Sequence, residues 1–255
     1  MDAILHSWFL MIRNLSYMVR SPFIIGMNII QPVLWMLLFS AVFQNIVEIP
    51  GFTASSYIDF LSPGIVVMST LMAGSYAGLG LLVDYNQGVL NRFLVTPVHR
   101  VSIIIGSLLQ HAVTLTVQGF IMIGLAMLLG AEFNGGGIIV LIFCAVILGI
   151  AFGALSMALA ITIRQEEALT SAVAFSTMPL LFLSELFMPL DLVPNWMAAL
   201  AGFNPVNWAI AAGREALMTS GGWSDVWLSI CYLLSFAFIS IGLAILVFHR
   251  YQKTL

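Results

Sequence analysis

The chain has 255 residues, 61% of them hydrophobic and only 7% charged, with a formal net charge of −3. A mean hydropathy of +1.08 excludes an ordinary water-soluble domain, because a fold of that composition would leave large apolar surfaces in water. The net charge decides little, since in a membrane protein the placement of Lys and Arg sets orientation and their sum does not.

Residues 1–21 place Ile4, Leu5, Trp8, Met11, Ile12, Leu15 and Val19 on one helical stripe, with His6, Arg13, Tyr17 and Arg20 opposite. This pattern predicts a helix lying in the membrane interface. The arginines follow the apolar residues instead of preceding them, so no cleaved signal peptide is expected. The first span is 22–43, with Pro32 inside it and Asn28 and Gln31 as polar interruptions. Apolar runs at 60–83, 101–129, 137–163, 168–188 and 227–249 follow, each close to or above the roughly twenty residues that cross a hydrocarbon core. The expectation is an all-α integral membrane protein with six transmembrane helices.

Between the second and third runs, residues 84–100 form a polar interruption with its own pattern. Val89, Leu90, Phe93 and Leu94 recur on one side, Gln87, Asn91 and Arg92 take the other, and Pro97 ends the helix. This reads as a short amphipathic helix at the membrane face. Six spans put both termini on one side, together with Arg13, Arg20, Arg92, Arg100, Arg164, Arg250 and Lys253, while Arg214 alone lies opposite. By the positive-inside rule the side of the termini is cytoplasmic. The inner turn Arg164-Gln-Glu-Glu167 sets its two glutamates at the amino end of the fifth helix, where the macrodipole favours them.

The outer region 189–222 is broken by Pro189, Pro194 and Pro205. Asn204 is placed to cap a helix with Pro205 at its first position, and Gly221 and Gly222 make a natural stop. Two short helices, at 194–201 and 205–218, are expected to dip into the outer leaflet and return, with Trp196, Trp208 and Trp223 at headgroup level. Polar backbone at that depth needs protein or water beside it, so this region should cap something.

Three stretches in order carry a resemblance: Tyr57-Ile-Asp-Phe-Leu-Ser-Pro-Gly-Ile; Gly88-Val-Leu with Leu94 and Thr96-Pro97-Val; and Pro189, Pro194, Trp196, Asn204-Pro205 and Arg214. Across essentially its whole length the chain resembles the membrane subunit of type-2 ATP-binding-cassette (ABC) exporters. The resemblance implies a permease paired with a second copy or a paralogue. Each copy is then bound on its cytoplasmic side by a separate ATPase subunit, which holds the ATP and Mg, and no cofactor is expected in this chain. Residues 84–100 correspond to the coupling helix, with Val89, Leu90, Arg92, Phe93 and Leu94 as ATPase contacts and Arg164, Glu166 and Glu167 as a second contact. Met68, Met72, Phe175, Met178 and Phe182 lie on the second and fifth spans, which in the family line the substrate path; core or lipid-facing positions explain them equally from sequence. Asn204, Pro205 and Arg214 are expected at an outer gate together with Glu185, for which an interfacial carboxylate satisfied by the neighbouring re-entrant helices is an equal alternative. Where relatives often carry charge before the glycine matching Gly88, this chain has Tyr85, Asn86 and Gln87 after a lone Asp84.

Chemistry within the chain is not expected. Lys253 is the only lysine and no glycines precede it, so a phosphate-binding loop is excluded. His6, His99, His111 and His249 lack metal-ligand spacing, Cys144 and Cys231 fall inside apolar runs, and Ser75 has the wrong glycine offsets for a nucleophile elbow. The expected function is export of hydrophobic or amphiphilic substrates, drug-like or lipid-like, from the cell through the inner membrane, with no nucleic-acid partner. Export of a polysaccharide or lipid-linked glycan by the same machinery is an alternative. So is an ion-gradient-driven secondary transporter, although its usual paired repeats and buried ionisable groups do not show in the sequence. The spacings Gly74-x-x-x-Gly78 and Gly149-x-x-x-Gly153 point to close helix approach within one subunit.

Overall fold

The computed structural model describes residues 2–20, 22–43, 45–46, 56–88, 101–217 and 223–252. The expected coupling contacts Val89, Leu90, Arg92, Phe93 and Leu94 lie outside the described residues, as do Gly221 and Gly222. The described chain is helical: α1 (Asp2–Val19), α2 (Pro22–Val42), α3 (Tyr57–Ser75), α4 (Ala77–Asn86), α5 (Val101–Leu128), α6 (Gly135–Ile163), α7 (Glu166–Phe182), the short α8 (Asn195–Ala201), α9 (Pro205–Leu217) and α10 (Trp223–Gln252). Four stretches among the described residues are long and apolar enough to cross a membrane: Tyr57–Asn86, Ile104–Leu128, Gly135–Ile163 and Trp223–Arg250. The protein is therefore a multi-pass membrane protein.

Helix ends follow local chemistry. Ser56 caps α3, its Oγ accepting the Asp59 amide at 3.2 Å, and Asn134 caps α6 by accepting from the Gly136 amide at 3.3 Å. Gly88 and Gly130 end their segments at φ +70 and +98, where a side chain would be strained. The fifth helix is shorter than the apolar run 168–188. α7 has 17 residues, about 25 Å of rise against a hydrocarbon core of about 30 Å. It stops because α9 captures the backbone that would continue it. Asn204 Nδ2 donates to the carbonyls of Leu180 and Leu183 at 2.6 and 2.7 Å, and Asn207 Oδ1 accepts the Glu185 amide at 3.0 Å.

α6 is the central helix, packed against α3, α4, α5, α7, α9 and α10. In lipid no hydrophobic drive brings helices together, so close contact depends on small residues. A Cβ on Gly74 would collide with the Gly149 carbonyl, and one on Gly78 with the Ser156 carbonyl. At the other end of α6, a Cβ on Gly137 would collide with the Ala216 carbonyl in α9. The expected glycine contact within one subunit is thus present between α3–α4 and α6. It coincides with the break between α3 and α4 at Tyr76 (φ −91, ψ 2). The Gly78 amide, which in an unbroken helix would bond the Gly74 carbonyl, instead donates to Ser156 Oγ at 3.0 Å.

Contacts near the chain ends of these helices set their directions. Arg13 of α1 reaches Asp84 at the end of α4, Asn86 reaches Glu166 at the start of α7, and Phe248 of α10 packs with Ile104 of α5 and Ile161 of α6. This is the Arg13 end of the bundle. At the other end, the Arg214 end, Tyr57 meets Phe43, the residue after α2, and Phe187 beyond α7.

Replacing Gly74 with Ala is expected to destabilise the detergent-solubilised protein by about 1–3 kcal/mol through overpacking. Gly80→Ala, where a Cβ meets nothing within 4 Å, is expected to be neutral or to stabilise by up to about 1 kcal/mol. Thermal melting of both variants checks the contrast; equal melting temperatures would refute the packing role of Gly74.

Candidate functional site

At the Arg214 end, α9 projects one cation into the bundle. Arg214 Nη1 donates to Glu185 Oε2 at 2.8 Å, and Nη2 donates to the carbonyls of Glu185 at 2.9 Å and Phe60 at 3.1 Å. The guanidinium carbon lies 3.7 Å from the centre of the Phe60 ring, a cation–π contact. The side chains of Arg214 and Glu185 are only 12% and 22% exposed, so the pair is held away from bulk water. Burial works against the Arg214 charge, and the facing Glu185 carboxylate supports it. One side chain thus ties α9, the turn after α7 and the start of α3 together.

Asn204 and Pro205 complete this junction. Asn204 Oδ1 accepts the Val206 amide at 3.0 Å, the expected cap, while its Nδ2 holds the end of α7. Asn204, Pro205 and Val206 are all buried. Of the four residues expected at the outer gate, Glu185 and Arg214 are in direct contact, while Asn204 holds the end of α7 and Pro205 opens α9 beside it. Sequence reading missed Phe60, Asn207 and Phe187 as members. Phe187 stacks on Phe39 of α2 at 4.7 Å, and Phe39 stacks on Trp35 at 5.1 Å. Phe43 and Tyr57, at 5.6 Å, extend the aromatic contacts toward Phe60. The available signal was the i, i+3 spacing of Tyr57 and Phe60, which sets both rings on one side of the entering helix.

At the Arg13 end, Arg164 adopts a left-handed conformation, φ 57, at the end of α6, and its guanidinium lies 5.8 Å from the Tyr85 ring. Glu166 Oε1 accepts from Asn86 Nδ2 at 3.2 Å, and Glu167 is exposed. Arg164 and Glu166 are therefore in contact with the end of α4, where residues 84–100 begin. The Arg13–Asp84 ion pair, at 2.9 Å, joins the same place and went unread in the sequence, because nothing local links residues 71 positions apart.

The five expected path residues separate. Met68 is buried in the main core and Met72 packs against that core. Phe175, Met178 and Phe182 are 83%, 52% and 64% exposed on one face of α7. The opposite face carries Leu169, Val173, Thr177 and Leu181, all buried. Among the described residues no group of three or more His, Cys, Asp or Glu is arranged to hold a metal ion.

The profile of the ABC-2 type transporter family matches residues 6–218, and the chain belongs to that family. It is 28% identical over 228 residues to a daunorubicin resistance ABC transporter permease protein of Streptomyces coeruleorubidus, covering 89% of this chain and 78% of the relative. A chain of Pyropia yezoensis named as a transport permease is 31% identical over 208 residues, 80% of this chain and 71% of its own. A Mycobacterium tuberculosis protein named as a doxorubicin resistance ABC transporter permease is 29% identical over 192 residues, 74% of this chain and 68% of its own. The protein is a permease chain of this transporter type.

Breaking the Arg214–Glu185 junction from its two sides is expected to have unequal effects. Arg214→Gln strands a largely buried carboxylate and two carbonyls, at a cost of about 3 kcal/mol or more. Glu185→Gln leaves Arg214 its two carbonyl acceptors and the Phe60 ring, and costs about 1–2 kcal/mol. Melting temperatures of the two variants check the order; an equal or larger loss for Glu185→Gln would contradict the geometry.

Proposed function

We propose that this chain is the transmembrane subunit of an ATP-driven exporter for hydrophobic or amphiphilic substrates, drug-like or lipid-like, in the inner membrane. The observation that carries this reading is the alignment with drug-resistance permeases over most of the chain. The chain crosses the membrane six times, with α2 and α7 completing the four long spans, and both termini and residues 84–100 are cytoplasmic. The arginine distribution supports this orientation. α8 and α9 form the outer re-entrant cap, and the Glu185–Arg214 junction with Asn204 and Pro205 is its gate.

A separate ATPase subunit, carrying the ATP and Mg, docks on residues 84–100 through Val89, Leu90, Arg92, Phe93 and Leu94, with Arg164, Glu166 and Glu167 beside them. The left-handed backbone at Arg164 supports this role. A non-glycine residue there is strained by about 1–2 kcal/mol, and such strain in an Arg fits a side chain that is put to use. A second permease copy or paralogue faces α2 and α7. Exposed Asn28 and Gln31 in an apolar helix favour a polar or protein partner over lipid. Phe175, Met178 and Phe182 supply an adaptable apolar wall for the substrate, with Met68 and Met72 behind the neighbouring span.

Phe93→Asp is expected to abolish capture of the ATPase while the protein still inserts, because aromatic anchors dominate interface energy and Phe93 lies outside the apolar runs. Arg92→Ala should change mainly the salt sensitivity of binding. Pull-down of the ATPase, with its stimulation by the permease, checks both; wild-type capture and stimulation by the Phe93→Asp chain would refute the docking site.

A further inference from the structure

We propose that Arg13 is a positioning residue for energy coupling: its ion pair with Asp84 clamps the last turn of α4 to α1, so that the two move together when the ATPase moves residues 89–100. The proposal rests on the reading that the ATPase docks on that segment.

The clamp is built on both sides of the pair. Arg13 Nη2 donates to Asp84 Oδ2 at 2.9 Å, while Nε and Nη2 donate to Asn14 Oδ1 at 3.0 and 2.8 Å. Asn14 Nδ2 in turn reaches Ser107 Oγ of α5 at 3.4 Å. α1 is seated on α5 where Gly106 leaves room: a Cβ there would meet Leu10 Cβ at 2.8 Å and the Ser7 carbonyl at 3.0 Å. The guanidinium is thus oriented by a helix that is itself docked. On the far side of the same turn, Tyr85 lies under Arg164 and Asn86 bonds Glu166. Three consecutive residues, Asp84, Tyr85 and Asn86, are gripped by α1 on one side and by the α6–α7 turn on the other. Two residues later Gly88 ends the helix in the left-handed region.

The pair is 41% and 31% exposed, and exposed pairs add little to global stability. In a chain with so few charges, the position of this one, at the root of the coupling segment, suits it to transmission. It also supplies a fixed charge contact that Tyr85, Asn86 and Gln87 cannot make themselves.

The test uses the full permease reconstituted with its ATPase at low ionic strength, where the pair is least screened, and reads permease-stimulated ATP hydrolysis at equal amounts of bound ATPase. Arg13→Asp and Asp84→Arg are each expected to retain the ATPase but to lower stimulation by about two- to five-fold. The double exchange, Arg13→Asp with Asp84→Arg, should restore it, and Arg13→Lys should leave it near wild type. If Arg13→Asp fails to insert, Asp84→Asn supplies the single-variant arm. Wild-type stimulation by the single variants, or a double exchange no better than its worse single, overturns the clamp. A Phe93→Asp chain that still stimulates hydrolysis overturns the docking reading instead, so the two failures are told apart.

Discussion

A helix inside a bilayer has no water for its backbone and gains nothing from apolar contact alone, so its neighbours must come close and every break must be repaired. α6 meets both demands. Gly149 lets Gly74 approach to backbone contact, and Ser156 accepts the Gly78 amide released at the break between α3 and α4. α5, α7, α9 and α10 also pack on this helix. α9 depends on it too, because Gly137 leaves room for the end of that helix.

The broken helix α3–α4 joins the two ends of the molecule. Its start is held by Arg214 through the Phe60 carbonyl and ring, and its end by Arg13 and Glu166 through Asp84 and Asn86. Both ends are fastened by polar bonds, whereas the middle is held by buried apolar side chains such as Leu61, Ile65 and Leu71 and by the close glycine contacts with α6. The broken helix therefore links the Arg13 end of the bundle to the Arg214 end.

Much of this architecture was legible in the sequence, because bilayer thickness writes itself as apolar run length. Asn204 and Pro205 announced the start of α9 through cap chemistry, and the glycine spacings announced the contact with α6. Tertiary bonds were not legible. The end of α7 at Phe182 depends on Asn204 and Asn207 taking its carbonyls and amide from more than twenty positions away, so an apolar run to residue 188 reads as a longer helix. The Arg13–Asp84 pair was hidden for the same reason. Met68 and Phe175 look alike in sequence, yet one is 7% and the other 83% exposed, and only packing separates them.

The most direct test is transport by the intact complex in inverted membrane vesicles, with a fluorescent anthracycline as the probe and the proton and sodium gradients collapsed. ATP-dependent accumulation that requires both this chain and a co-purifying ATPase is expected. Accumulation that is driven by an imposed ion gradient with this chain alone, and is indifferent to ATP, would contradict it.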